Sequence, residues 1–122
     1  MPKKVLLIGL RSDSVNYEKW PQLSKEKLDA AFEQVVSELN NNGYDSLWCL
    51  TDQGETAVQQ VEEALAKEKP DIVLIGAGVR TDPDHFLLFE QVINIVHAKA
   101  PDAKIAFNSL PYDSLDAIKR WG

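Results

Sequence analysis

The chain has 122 residues, 44% hydrophobic and 26% charged, with a formal net charge of −6. That length suits a single domain, and that composition suits a globular chain rather than a disordered one. The acidic balance argues against nucleic acid as a partner, because the Lys and Arg residues stand beside acids ("SKEKLD", "LAKEKP") rather than in a basic patch.

The chain opens with "MPKKVLLIGL". Its apolar run is too short for a signal sequence and fits a first strand at 5–10. No stretch approaches the roughly 20 apolar residues that a membrane helix needs, so a soluble cytoplasmic protein without membrane partners is expected. Cys49 is the one cysteine, which leaves no internal disulfide. It lies in "SLWCL" (46–50), a second apolar strand, and is expected to be an inert core thiol.

Between these strands, residues 24–44 spell a helix. Ser24 is a candidate N-cap and Gly43 a candidate left-handed stop. Leu28, Ala31, Phe32, Val35, Val36 and Leu39 recur at the spacing of one buried helical face. The segment 52–70 holds a second amphipathic helix, with Ala57, Val58, Val61, Ala64 and Leu65 inward and Pro70 at its end. Asp52 and Glu55 have capping-box spacing. A third strand follows at 71–78, a third helix at 83–101 and a fourth strand at 104–109. A short helix at 113–121 closes the chain.

This alternation of near-continuous apolar strands with helices predicts an α/β fold. A four-stranded parallel sheet covered on both faces makes a three-layer α/β/α sandwich. Right-handed crossovers favour the doubly wound order 2-1-3-4. In such a sheet ligands bind beyond the carboxyl ends of the strands, where the winding reverses, here between strands 1 and 3. The segments flanking that crevice begin "GLRSDS" and "GAGVRTDPDH".

Each segment brings an arginine to a strand end, Arg11 and Arg80. Two guanidiniums converging on a crevice suit a carboxylate, phosphate or nucleotide. Asp13 and Asp82, each two residues beyond an arginine, offer structural ion pairs instead. Gly76 and Gly78 either let the backbone approach an anion or turn the strand end tightly. "GAGVRT" lacks the third glycine of a dinucleotide fingerprint and follows strand 3 rather than strand 1. Asp82 and Pro83 read as the N-cap and first residue of the third helix. His85, in its first turn, is a candidate base or donor, with an ordinary surface position as the alternative. A hydrolase or transferase reading would join His85 to Asp84 or Asp13. His97 is too far along the helix to share a metal with His85, and no cluster completes a metal set.

The connection at 11–23 exceeds the usual ~2–6 residues and holds Tyr17, Trp20 and Pro21, so it is a lid candidate or a cover over the sheet end. "FNSLPYD" adds Asn108, Ser109 and Tyr112 at the same edge. Phe86, Leu87, Leu88, Phe89, Val92, Ile93, Ile95 and Val96 exceed a single buried stripe. A helix apolar on two faces is expected to meet another subunit, so a homodimer through helix 83–99 is the quaternary expectation.

By pattern the chain resembles flavodoxin-like and response-regulator-like folds without either active site. Where a receiver carries an acidic pair after strand 1 stands "GLRSDS", and where it carries a phospho-accepting Asp after strand 3 stands "GAGVR". No fifth strand supplies its lysine. "RSDSVNYEKW" has none of the glycines of a flavodoxin phosphate loop. The stretches "GETA" (54–57), "DIVLIGAGVR" (71–80), "LLFEQVINIVHAKAPDAKIAFNS" (87–109) and "DAIKRW" resemble a group of small uncharacterised bacterial single-domain α/β proteins of about this length. That resemblance covers most of the second half, matches poorly over the first loop and departs at "TDPDHF". It implies the fold and no reaction or cofactor. The functional expectation is therefore a small anionic ligand at the strand 1/strand 3 crevice, held by Arg11, Gly76, Gly78, Arg80, His85 and Asn108. The alternative is a receiver-like interaction or dimerisation module working through the third helix.

Overall fold

The computed structural model describes residues 3–12, 24–52, 56–76, 79, 85–108 and 113–121. Among the described residues, strands β1 (Lys3–Leu10), β2 (Tyr44–Thr51), β3 (Ile72–Ile75) and β4 (Lys104–Phe107) alternate with helices α1 (Lys25–Asn41), α2 (Ala57–Glu68), α3 (Phe86–Lys99) and α4 (Ser114–Trp121). The sheet is wholly parallel in the order β2-β1-β3-β4. The apolar runs and their alternation with helices had specified this arrangement.

Each strand contributes to both faces, because successive side chains point to opposite sides. Leu6, Ile8, Leu10, Val73 and Ile75 pack with Ala57, Val61 and Leu65 of α2 and Leu88, Val92 and Val96 of α3. Val5, Leu7, Ile72, Leu74 and Ala106 pack with Val35 and Leu39 of α1 and Ala117 and Ile118 of α4. The layers are thus α2/α3, sheet, α1/α4. No helix among the described residues is long and apolar enough to cross a membrane.

The element ends have local causes. Ser24 is extended (φ −144°, ψ 159°), and its Oγ accepts the Lys27 N–H at 3.2 Å, capping α1 as its sequence implies. Ser24→Ala should cost about 1 kcal/mol of stability, read as a lower denaturation midpoint at unchanged m. Gly43 takes the positive φ of 90° that ends this helix region. At α2 the expected capping box is replaced. Thr56 is the cap residue, and Asp52 accepts both its N–H (3.0 Å) and its hydroxyl (2.6 Å), so the acid anchors the turn ahead of the helix. Glu55 lies outside the described residues. Lys69, just before Pro70, carries the left-handed conformation (φ 47°, ψ 62°) that glycine more often supplies.

β3 is shorter than its apolar run, because Gly76 leaves the ladder. Its N–H still donates to Ile8 O at 2.8 Å, but its carbonyl accepts the Val79 N–H at 3.1 Å. α3 begins at Phe86, with His85 at the cap position and no side-chain cap bond. The expected start at Pro83 is thus three residues early, and Asp82 and Pro83 themselves lie outside the described residues.

Both outer strands are partly guarded. Asn40 of α1 accepts the Ser46 N–H at 3.1 Å on β2, and Arg120 of α4 donates to the Phe107 carbonyl at 3.0 Å on β4. Such bonds blunt a sheet edge against pairing with another chain.

Candidate functional site at the carboxyl ends of the strands

The two ends of the sheet differ chemically. At the amino end Lys4 holds the neighbouring turns. Its N–H donates to Asp71 Oδ2 at 2.9 Å, and its Nζ lies 3.0 Å from Glu68 Oε2. Glu68 hydrogen bonding is the main cause that raises the Lys4 pKa above 10.5. This is solvated, ordinary surface chemistry.

At the carboxyl end polar side chains go inside. Ser12, Ser46, Thr51, His85, Asn108 and Ser114 are the buried polar side chains of the described residues, and all but Ser46 lie there. Burying a polar group is unfavourable unless it is hydrogen-bonded, so this clustering is a property of the site end and not of the sheet at large. The Thr51 hydroxyl donates to the Gly9 carbonyl at 3.3 Å. Asn108 Nδ2 donates to Ser114 Oγ at 3.0 Å, tying the end of β4 to the start of α4.

Ser12 connects β1 to α1. Its hydroxyl is the first cause that holds the Asp29 carboxyl below the ordinary 3.8, and Lys25, whose Nζ lies 3.0 Å from Asp29 Oδ2, is the second donor. Removing the hydroxyl favours the protonated acid. In Ser12→Ala the Asp29 titration followed by NMR should therefore move up toward its ordinary value. An unmoved midpoint would refute the hydrogen bond. The sign for stability follows: the contribution is present above the unfolded-state pKa and fades as pH falls through the folded one.

Of the six expected ligand residues, four fall in the described part. Arg11 is exposed, and its N–H donates to Thr51 O at 2.8 Å, so its backbone continues the β1–β2 ladder. Gly76 is buried at the β1/β3 boundary, where a Cβ would stand 3.2 Å from the Ile8 carbonyl oxygen. Close strand approach is thus sufficient reason for glycine at 76. His85 is only 6% exposed, which replaces the expected alternative of a surface histidine. Asn108 is 4% exposed. Gly78 and Arg80 lie outside the described residues, as do Asp13, Tyr17, Trp20, Pro21, Asp84, Ser109 and Tyr112. Ser12, Asp29, Thr51 and Ser114 join the carboxyl end without having been singled out. Ser and Thr occur throughout the chain, and only the fold reveals which of them are buried together.

Other candidates fall away on geometry. Cys49 is half-buried rather than fully so, with Sγ 3.8 Å from the Gln60 carbonyl oxygen, and burial pushes its thiol up to about 11. It is overwhelmingly the protonated, unreactive thiol at neutral pH. His97 is exposed on α3. Among the described residues no three His, Cys, Asp or Glu side chains come together as a metal set. Compared with protein-family models and with curated proteins, the chain matches none.

Proposed function

We propose that this protein binds a small anionic ligand at the carboxyl end of its sheet, in the β1/β3 crevice. The observation that carries the reading is the concentration of buried polar side chains at that end, with Ser12, His85 and Asn108 at the exits of β1 and β3–β4. Doubly wound sheets bind ligands at the point where the strand order reverses, which in β2-β1-β3-β4 is the β1/β3 gap. Arg11 and Arg80 are the anion contacts of this reading, with Gly76 and backbone amides near Gly78 lining the approach. His85 and Asn108 serve as hydrogen-bond donors. Binding is proposed, and no particular reaction. A soluble cytoplasmic setting accords with it.

Thermal shift against nucleotides, inorganic phosphate and small carboxylates tests the proposal. A binder should raise the midpoint of the wild type and lose most of that shift in Arg80→Ala. At a ligand concentration of ~100 Kd the stabilisation is about 2.7 kcal/mol, large enough to read. If no compound stabilises the wild type more than Arg80→Ala, the reading fails.

A second reading, an interaction module working through α3, has its own observation. Phe86 and Leu87 at the head of α3 are 65% and 69% exposed. Large apolar side chains so exposed are the usual marks of a surface that meets another protein.

A further inference from the structure

Asn42 precedes Gly43 at the turn from α1 into β2, the one asparagine–glycine step in the chain. A backbone nitrogen that follows asparagine can attack the side-chain amide carbon, and glycine leaves that nitrogen least hindered because it has no Cβ. Asn42 is exposed, and nothing lies within 4 Å of where a Gly43 Cβ would stand. Crowding therefore does not protect the pair.

Conformation does. Asn42 is the C-cap residue, with φ −100° and ψ 15°. At that ψ the Gly43 nitrogen nearly eclipses Asn42's own nitrogen, a third of a turn away from the Cβ that carries the amide. Ring closure needs the nitrogen on the Cβ side. The amide is also held, because Nδ2 donates to Glu38 O at 2.7 Å. So is the attacking atom, since the Gly43 N–H donates to Asn40 O at 3.2 Å. Asn40 clamps the far side of the turn as well: its Oδ1 accepts the Ser46 N–H at 3.1 Å and the Ser46 hydroxyl at 2.9 Å. Rotating the 42–43 peptide to join nitrogen and carbon breaks the Gly43–Asn40 bond. It also turns the chain just where it enters β2, whose first residue, Tyr44, pairs with Lys3.

We propose that Asn42 is a site of spontaneous deamidation, and that the closing turn of α1 holds the reaction back in the folded protein. The site is independent of any ligand at the crevice. In the reaction Gly43 N gives up its proton and attacks Asn42 Cγ. The Cγ–Nδ2 bond breaks, and Nδ2 leaves as ammonia with a proton from solvent, closing a succinimide ring. Water then opens the ring at either carbonyl, giving aspartate or isoaspartate, with nothing oxidised or reduced. The product does not restore the cap. The donor to Glu38 O is lost, and a carboxylate stands where the helix end concentrates partial negative charge. Isoaspartate also adds one carbon to the main chain between α1 and β2. Each conversion thus loosens the turn that had restrained it.

Incubation of the protein at mildly alkaline pH, folded and in guanidinium chloride, tests this, with peptide mass spectrometry placing the amide-to-acid mass gain. In the unfolded chain Asn42 should convert ahead of every other asparagine. In the folded protein its conversion should be at least about tenfold slower, because only the opened turn reacts. Asn40→Ala removes the side-chain clamp on Ser46 and leaves the reacting atoms untouched. It should raise the folded-state rate at Asn42 and leave the unfolded rate unchanged. Asn42→Asp, the product at that position, should lower the thermal midpoint at neutral pH. Conversion first at another asparagine, or at none, overturns the site. Equal rates in the folded and unfolded protein overturn the restraint. A folded-state rate in Asn40→Ala no faster than wild type overturns the part given to the clamp, and an unchanged midpoint in Asn42→Asp overturns the loosening. If Asn40→Ala does not fold, the wild-type comparison decides alone.

Discussion

Truncating Leu74 to alanine is expected to cost the fold about 2–5 kcal/mol, a large share of the roughly 5–15 kcal/mol that stabilises a domain. Leu74 lies in the middle of β3, fully buried between β1 and β4, against the α1/α4 layer. The lost side-chain atoms forfeit their transfer free energy, and the surrounding strands are too constrained by their ladders to close the gap. The same change at Leu87 removes the same atoms from a site 69% exposed, and should alter stability by less than about 0.5 kcal/mol. Urea denaturation of both variants at low protein concentration, where self-association does not contribute, gives the comparison. Equal losses at both positions would refute the burial assignment. A small loss at Leu87 alongside weakened association would tie that residue to the surface of α3.

Gly9→Ala is expected to destabilise by about 1–3 kcal/mol, although it adds a single methyl group. A Cβ there would stand 2.9 Å from Trp48 Cζ3 and 3.4 Å from its Cε3. The indole has little room to yield. Its Nε1 donates to the Phe32 carbonyl at 2.9 Å, and its ring tilts against Phe32 with centroids 4.7 Å apart. The methyl must displace the ring, the hydrogen bond or the β1–β2 register at Gly9↔Leu50. A double-mutant cycle with Trp48→Phe resolves the cause. The smaller ring should relieve much of the alanine penalty, giving a coupling of at least about 0.5 kcal/mol. Additive losses would mean that Trp48 is not what requires glycine at position 9. This glycine opens the segment after β1 that reads as a ligand loop, yet its own reason is the tryptophan on the neighbouring strand.

The same distinction runs through the site. Gly76 and Gly78 read either as an approach to an anion or as a tight strand-end turn, and the Ile8 carbonyl 3.2 Å from where a Cβ would stand is reason enough for glycine at 76. Arg11 follows strand 1 directly, and its backbone prolongs the pairing with Thr51 on β2. His85, read either as a base or donor in the first turn of the third helix or as an ordinary surface residue, is buried by the fold. Each placement depends on residues far away in sequence: Ile8 for Gly76, β2 for Arg11. No window around "GAGVRTDPDH" contains those partners.

What the amino-acid order determined by itself was the frame. Apolar runs such as "VLLIG" and "DIVLIG" can be satisfied only by strands buried on both faces. The stripe from Leu28 to Leu39 has helical spacing, and Ser24 and Gly43 supply local conformations that begin and end a helix, all within hydrogen-bonding reach along the chain. The parallel order β2-β1-β3-β4 then follows from the handedness of crossovers, a rule about connections and not about particular side chains. Only the tertiary structure decided which polar residues are buried together at the carboxyl ends, why Gly9 must be glycine, and which end of α3 keeps its apolar side chains in water. Those outcomes turn on distances between elements tens of residues apart. Local propensity and periodicity are blind to such distances, because each is a property of one segment, whereas burial is a property of the segments that meet.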